Sequence, residues 1–204
     1  MRDQNGFDLW ADGYDEAVGV CADENAYPFA GYREILGGIY REIAPYPRAS
    51  VLDIGFGTGA LSKRLYDLGC TVYGQDFSAK MLEMAAAKMP GAKLYKADFS
   101  EGLAEPLRRN KYDFIVATYS LHHLTDAQKL EFIPSLCERL KCGGRLFIGD
   151  VAFQTRAELE KCRRETADWD DDEFYFVADE ICSVIPDMSF RRVSFCAGIF
   201  SLSK

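Results

Sequence analysis

Short runs of apolar and β-branched residues alternate with longer amphipathic segments from Val51 onward. This alternation is typical of βα units arranged around a parallel sheet. The apolar runs predict five successive strands, at residues 51–54, 71–76, 92–98, 112–120 and 145–153. The continuous apolar centre of the fourth run indicates a strand that is buried on both faces.

The segments between these strands have the spacing and the end signals of helices. Residues 60–68 place three leucines at helical spacing before a glycine, which predicts a helix that ends there. Ser78 can cap the helix that follows the second strand. Thr125 and Gln128 predict a capping box at the start of a later helix. Pro134 lies inside that helix, so we expect it to kink the helix or break it.

The two ends of the chain have different patterns. After helices expected at about residues 155–167 and 172–184, the runs FRRVSF and AGIFSLS predict two closing strands. The few residues between them require an antiparallel pair. Apart from residues 32–44, the first 48 residues lack a clear period, and they are interpreted as a lid.

These elements predict one Rossmann-like domain over residues 1–204. We expect a three-layer α/β/α sandwich with a seven-stranded, mostly parallel sheet whose last strand is antiparallel. Residues 1–48 would form an N-terminal helical lid, residues 49–153 the ligand-binding core, and residues 154–204 the C-terminal helices and closing hairpin. A chain of 204 residues is long enough to bury the core of such a domain.

Charge and cysteine content narrow the function classes. The chain has 24 basic and 32 acidic residues, a formal charge of -8, and its basic clusters lie far apart. Nucleic acid is therefore not expected as a partner. Seven cysteines without a CxxC pair predict neither a disulfide framework nor a zinc site. No apolar run approaches the length of a membrane span, so we expect a cytoplasmic protein. We expect it to be a monomer or a homodimer.

The sequence Asp53-Ile-Gly-Phe-Gly-Thr-Gly59 follows the first predicted strand and opens the next helix. Glycine permits a tight turn and close ligand approach, and the helix N-terminus favours polar or anionic groups. The spacing is GxGxG, whereas the dinucleotide fingerprint is GxGxxG. A glycine loop alone is equally compatible with a simple tight turn.

Acidic residues at the next two strand ends strengthen the case for a nucleoside site. Asp76 ends the second predicted strand, where a carboxylate can accept hydrogen bonds from ribose hydroxyls. Asp98, beside Phe99, ends the third, where an adenine amino group and ring could be contacted. The carboxyl ends of parallel strands face one crevice, so these groups and residues 118–120 should converge.

The motifs VLDIGFGTG, YGQDFS, KADF and ATYSLHHL resemble those of class I S-adenosylmethionine-dependent methyltransferases, over residues 50–152. FDLWADGYDE and YPFAGY further resemble small bacterial methyltransferases of the YrrT-like kind. The resemblance implies S-adenosylmethionine as cofactor, S-adenosylhomocysteine as product, and a small-molecule methyl acceptor. It implies these cofactor-binding residues: Tyr14, Asp53, Gly55, Phe56, Gly57, Thr58, Gly59, Asp76, Phe77, Met81, Asp98, Phe99 and Thr118.

Within that set the resemblance implies distinct roles. The glycine loop would hold the methionine moiety, with Asp53 as a polar support, and Asp76 would bind the ribose. Tyr14 would close over the methionine end. Phe77 and Met81 would border the nucleoside, although plain core positions are the alternative for both.

The only two histidines, His122 and His123, follow the fourth predicted strand. His122 is the candidate general base, although it could equally hold a loop by hydrogen bonds. Tyr119 and Asp150 are candidate acceptor contacts. Two histidines without a third ligand predict no metal site, and the acidic run at residues 170–173 is interpreted as solvated surface before a helix.

Three rival functions remain open at this point. The first is an NAD-dependent oxidoreductase, which the glycine spacing disfavours. The second is a non-catalytic S-adenosylmethionine-binding or regulatory protein. The third is methylation of nucleic acid, which the acidic balance disfavours.

Overall fold

The computed structural model describes residues 26–204. Its strands are β1 (Ser50–Ile54), β2 (Thr71–Asp76), β3 (Lys93–Lys96), β4 (Tyr112–Thr118), β5 (Leu140–Phe153), β6 (Phe176–Val177), β7 (Ser189–Arg192) and β8 (Ala197–Ser203). Seven of them form one sheet in the order β3-β2-β1-β4-β5-β8-β7. Strands β1 to β5 pair in parallel, and β8 is antiparallel to both its neighbours. The predicted Rossmann-like sheet is confirmed.

The helices of the described residues are α1 (Tyr32–Ile43), α2 (Ala60–Asp67), α3 (Ala79–Lys88), α4 (Glu105–Arg108), α5 (Asp126–Glu138), α6 (Arg156–Glu165) and α7 (Ala178–Val184). The Ser78 side chain caps α3 by accepting a bond from the Met81 N–H at 3.1 Å. Thr125 and Gln128 form the predicted capping box of α5. Within residues 26–204, none of these helices is long and apolar enough to cross a membrane.

Helices cover the sheet on both faces because side chains alternate along each strand. Val51 and its neighbours on one face pack with α1, α2, α3 and α6, whereas Leu52 and its neighbours on the other pack with α4, α5 and α7. The three-layer arrangement places both apolar surfaces of the sheet out of water.

Helix α1 belongs to the layer that covers the sheet. Ile35, Ile39 and Ile43 recur at helical spacing, and each is fully buried. A Cβ atom added to Gly149 of β5 would lie 2.3 Å from Ile35 Cγ2, so glycine is what permits this close approach. A lid role therefore stays a prediction for the part of residues 1–48 that precedes α1.

The expected start of one helix was wrong, and of the kink or break expected at Pro134 the break does not occur. The helix predicted over residues 172–184 begins only at Ala178, because Phe176 and Val177 are buried as a two-residue strand that pairs with the end of β5. Helix α5 continues past Pro134 without a break. Its buried apolar positions, Ile133 and Leu136 among them, pack on the sheet and offset the backbone bond that proline cannot make.

Candidate functional site

A cavity lies at the carboxyl ends of β1, β2 and β4, the edge at which open parallel sheets bind their ligands. The cavity is lined by Tyr32, Gly55, Phe56, Gly57, Thr58, Ala60, Leu61, Asp76, Phe77, Met81, Phe99, Thr118, Tyr119, Ser120 and His123. Most of the residues that the sequence motifs predict to bind the ligand therefore lie together at this cavity.

The three glycines of the loop after β1 all have positive φ, yet they serve different purposes. A Cβ atom on Gly55 would lie 2.5 Å from the Ser120 Cβ atom, so this glycine permits close packing of the loop on the end of β4. A Cβ atom on Gly57, whose φ is +53°, would meet nothing within 4 Å. Gly59 does not line the cavity, and it is the residue before α2. Gly57 therefore leaves open space beside the cavity.

Asp76 closes the cavity at the end of β2, and its side chain is nearly fully buried. One carboxylate oxygen accepts a hydrogen bond from the Gly57 N–H at 2.9 Å. The other accepts from the Ser78 N–H at 3.0 Å. These bonds hold the carboxylate in one orientation at the edge of the cavity.

Asp53 lies beneath the loop and does not line the cavity. Its Oδ2 accepts a hydrogen bond from the Ser62 hydroxyl at 2.6 Å. Its Oδ1 is buried without a hydrogen-bond partner within residues 26–204. Burial, opposed by the Ser62 bond and assisted by the nearby Asp76 charge, raises the pKa of Asp53 to about 7. The role of Asp53 as a polar support for the loop stays a prediction.

Aromatic and apolar side chains form one side of the cavity, where Phe77, Met81 and Phe99 are all lining residues. Asp98 is placed differently from its prediction. Strand β3 ends at Lys96, and Asp98 is an exposed cap whose Oδ1 accepts a bond from the Ser100 N–H at 2.8 Å. Its side chain does not line the cavity. Contact between this carboxylate and a bound ligand stays a prediction.

Two tyrosine rings, Tyr32 and Tyr119, also line the cavity. The ring of Tyr119, which follows β4 with a φ of +50°, lies 5.1 Å from the ring of Tyr32 and 5.4 Å from that of Phe29. Sequence reasoning named Tyr119 and missed Tyr32 as a lining residue. The only sequence signal for Tyr32 is its place in YPFAGY. Tyr14, the predicted lid residue, lies outside the described residues.

The two histidines have different environments. His122 is buried and does not line the cavity; its Nδ1 lies 2.6 Å from Asp150 Oδ1. Burial disfavours its charged form, but the carboxylates of Asp150 and Glu173 outweigh burial and raise the pKa of His122. His123 lines the cavity instead. The position predicted for His122 is thus occupied by its neighbour.

Glu173 is a third member of this group that sequence reasoning missed. Its Oε1 lies 3.7 Å from His122 Nε2 and 4.0 Å from His123 Nδ1. Its Oε2 accepts a hydrogen bond from the Tyr175 hydroxyl at 2.7 Å. Glu173 ends the acidic run that was interpreted as solvated surface, yet its side chain is only 18% exposed.

Comparisons with known proteins agree with this geometry. The profile of a family described as methyltransferase domain matches residues 51–144. An uncharacterized methyltransferase of Geobacillus thermodenitrificans is 36% identical over 198 residues, covering 93% of this chain and 88% of its own length. The chain belongs to this methyltransferase family. The match extends well beyond the glycine loop and includes most of the described fold.

Solved structures show the same fold in other members of the methyltransferase group. The magnesium protoporphyrin IX methyltransferase of Synechocystis PCC 6803, solved with bound SAH, superposes with a TM-score of 0.66 at 20% identity, covering 86% of this chain and 84% of its own. The N-methyltransferase NodS of Bradyrhizobium japonicum WM9, in complex with S-adenosylhomocysteine, gives 0.64 at 18% identity over 87% and 88%. At sequence identities of 20% and 18%, these similarities show a shared fold.

Proposed function

We propose that this methyltransferase uses S-adenosylmethionine as its methyl donor and transfers the methyl group to a small-molecule acceptor. The observation that carries the proposal is the pairing of Gly57 with Asp76 at the cavity. Gly57 presents open space where a side chain would stand, and Asp76 is a fixed, nearly buried carboxylate beside it. A nucleoside with two ribose hydroxyls matches that carboxylate.

The remaining lining residues fit the same donor. Phe77, Met81 and Phe99 offer an apolar side for a purine ring. The buried Asp53 places a carboxyl group, with one oxygen unpartnered within residues 26–204, under the loop that would hold the methionine end. Two structural neighbours, from Synechocystis and Bradyrhizobium, were solved with S-adenosylhomocysteine, which supports this assignment by likeness of fold.

When bound, S-adenosylmethionine supplies a sulfonium that already activates the methyl group. This chain's residues would therefore have to bind and align the two reactants and exclude water. Asp76 and the loop would fix the donor, while the lining residues Tyr32 and Tyr119 would help to exclude water from the cavity. Tyr119 and His123 would be the side chains nearest to the acceptor.

The acceptor is proposed to be a small molecule because the chain lacks the charge expected for a polyanionic substrate. Its formal charge is -8, which opposes the phosphate contacts that provide most nucleic-acid affinity. The Synechocystis neighbour is named for a porphyrin acceptor, which is also a small molecule. Salt-dependent binding of RNA or DNA would count against this part of the proposal.

Calorimetric titration tests the donor site directly. S-adenosylmethionine and S-adenosylhomocysteine should bind with one site per chain, and NADH should not bind. Asp76→Ala should weaken binding by roughly 1 to 3 kcal/mol through lost hydrogen bonds. Asp67→Ala, which removes an exposed carboxylate paired with Lys63, is the matched control and should bind like the wild type.

Two outcomes would overturn the donor assignment: binding of NADH in place of S-adenosylmethionine, or an unchanged affinity in Asp76→Ala. Catalysis requires a further experiment. Protein incubated with methyl-labelled S-adenosylmethionine and a small-molecule extract should transfer label to a low-mass product. Donor binding without any label transfer would instead favour a non-catalytic S-adenosylmethionine-binding protein.

A further inference from the structure

A carboxylate and two imidazoles converge beside the end of the cavity. Glu173, His122 and His123 each offer one ligand atom, and the three atoms lie within 4.8 Å of one another. The distances from Glu173 to the two ring nitrogens, 3.7 and 4.0 Å, are longer than hydrogen bonds. Donor atoms at such separations leave room for a small cation between them.

We propose that His122, His123 and Glu173 form a binding site for a divalent first-row transition cation of the zinc type. Two imidazole nitrogens and one carboxylate oxygen are the donor types that Zn²⁺ takes, whereas Mg²⁺ and Ca²⁺ prefer oxygen donors. The sequence alone does not indicate the site, because the third ligand, Glu173, lies far along the chain from the two histidines, in a segment without periodicity.

The orientation of His122 supports the site. With Nδ1 donating to Asp150 Oδ1 at 2.6 Å, the lone pair lies on Nε2, which faces Glu173. Asp150 is itself held by the backbone N–H groups of Leu121 at 3.1 Å and Val151 at 2.8 Å. A carboxylate that fixes the second nitrogen of a ligating histidine is the usual outer partner in zinc sites.

Glu173 is positioned by independent contacts. The Tyr175 hydroxyl donates to its Oε2 at 2.7 Å, which leaves Oε1 facing the histidines. The Phe174 N–H donates to the His122 carbonyl oxygen at 2.8 Å, so the segment that contains Glu173 is tied to the turn that contains both histidines. The ligands are therefore brought together by backbone as well as side-chain bonds.

The charges around the cluster also favour a cation. Asp150 and Glu173 are acidic, and a cationic group that acts on His122, that of Lys129, is bonded to Asp126. His122 is 9% exposed, whereas His123 and Glu173 are 29% and 18% exposed. Tetrahedral zinc ligands lie about 3.4 Å apart, so roughly 1 Å of closure is needed. A change of rotamer at the two partly exposed side chains would supply it.

Three protein ligands leave a fourth position open, as in zinc sites that bind water or substrate. His123 lines the cavity, so that position would face its acceptor end. An acceptor with an oxygen, nitrogen or sulfur donor atom could occupy it, and this last point alone rests on the proposed function. Metal binding itself does not require S-adenosylmethionine.

The test uses the full chain, freed of metal with a chelator and titrated without any nucleoside. Calorimetry with Zn²⁺ and visible absorption with Co²⁺ should show one equivalent bound, and Mg²⁺ should not compete. His123→Gln and Glu173→Gln should each lower the Zn²⁺ affinity at least about tenfold, with unchanged circular dichroism. Because the assay contains no nucleoside, its result is independent of the donor proposal.

Matched controls separate this cluster from other ligands. Cys142→Ser removes an exposed thiol, and Glu160→Gln removes a carboxylate on α6 outside the cluster; both should bind Zn²⁺ like the wild type. Absence of stoichiometric Zn²⁺ uptake would overturn the proposal and leave a protonated His122 as the bridge between Asp150 and Glu173. Uptake unaffected by both His123→Gln and Glu173→Gln would also overturn it.

Discussion

The backbone N–H of Gly57 donates a hydrogen bond to the Asp76 carboxylate across 2.9 Å, which joins the loop after β1 to the end of β2. The two strands pair in parallel with Ile54 opposite Gln75, and the Gly55 N–H continues the pairing by donating to the Gln75 carbonyl oxygen at 2.8 Å. The loop is thus a direct continuation of the sheet. The shape of the loop and the position of the Asp76 carboxylate therefore depend on each other.

Replacement of the loop glycines by alanine should separate ligand binding from stability. Gly57→Ala adds a methyl group into open space at a φ of +53°, so we expect about 1 kcal/mol of strain but a larger loss of S-adenosylhomocysteine affinity. Gly55→Ala adds a methyl group 2.5 Å from the Ser120 Cβ atom, so we expect it to destabilise the fold more. Urea unfolding and calorimetry measure the two effects. Equal stability losses in the two variants would contradict the expectation.

Asp53 predicts a specific dependence of stability on pH. Its pKa is raised from 3.8 to about 7 in the folded state, chiefly by burial. The folded protein therefore holds this proton more tightly than the unfolded chain does. Its contribution to stability is complete below about pH 4 and is lost as the pH rises from about 4 to about 7.

Asp53→Asn removes that titration, so the variant should lose less stability than the wild type as the pH rises through this window. Urea unfolding across the pH range measures the difference. Asp113→Asn is a control of opposite sign: burial is outweighed by bonds from Lys141 and Ser50, which lower the pKa of Asp113. Its stabilising effect should disappear as the pH falls. Parallel curves for wild type and Asp53→Asn would sink the prediction.

The contact of α1 with β5 can be tested by a double-mutant cycle. Gly149→Ala places a methyl group 2.3 Å from Ile35 Cγ2, which the packed interior cannot absorb, so we expect a loss of about 1 to 3 kcal/mol. Ile35→Ala alone should cost about 2 to 5 kcal/mol through a cavity. The double variant should be more stable than the sum of the two losses predicts, by about 0.5 to 3 kcal/mol. Additive losses in urea unfolding would show that the two residues do not interfere.

Much of the fold was predictable because it depends on local pattern. Strand β2 matches its predicted bounds, Thr71–Asp76, since a β-branched run ends there at an acid. The capping box of α5 was likewise visible in Thr125 and Gln128. The meeting of residues from several strand ends at one cavity was also predictable, because the carboxyl ends of parallel strands face the same crevice.

The features that local pattern does not indicate depend on the direction of side chains in three dimensions. His122 and His123 lie in a one-turn 3₁₀ helix, where neighbouring side chains diverge, and no sequence pattern says which one faces the cavity. Asp98 was expected at a strand end, but β3 stops two residues earlier and Asp98 caps a turn. Glu173 comes from an irregular segment whose place is set by distant contacts. Such positions have no periodic signal.

Lys129 makes one of the distant contacts that position the segment containing Glu173. Its side chain is fully buried and holds the segment that follows α6. Its Nζ atom donates to Asp126 Oδ1 at 3.0 Å and to the carbonyl oxygen of Phe174, and it lies 4.6 Å from the ring centre of Phe176. Burial lowers the pKa of Lys129, and the Asp126 charge opposes this shift. The side chain therefore bridges α5 to the neighbour of Glu173.

Lys129→Met keeps the apolar stem but removes the donor to Phe174. Asp126 is 52% exposed, so water can solvate its carboxylate once the ammonium is gone. We therefore expect a loss of about 1 to 2 kcal/mol, the cost of one unsatisfied carbonyl, instead of the 3 to 5 kcal/mol typical of a broken buried ion pair. Hydrogen exchange at the Phe174 amide, which is bonded to His122, should become faster. Lys161→Met, at an exposed position on α6, should change neither quantity, and identical behaviour of the two variants would show that Lys129 does not hold this segment.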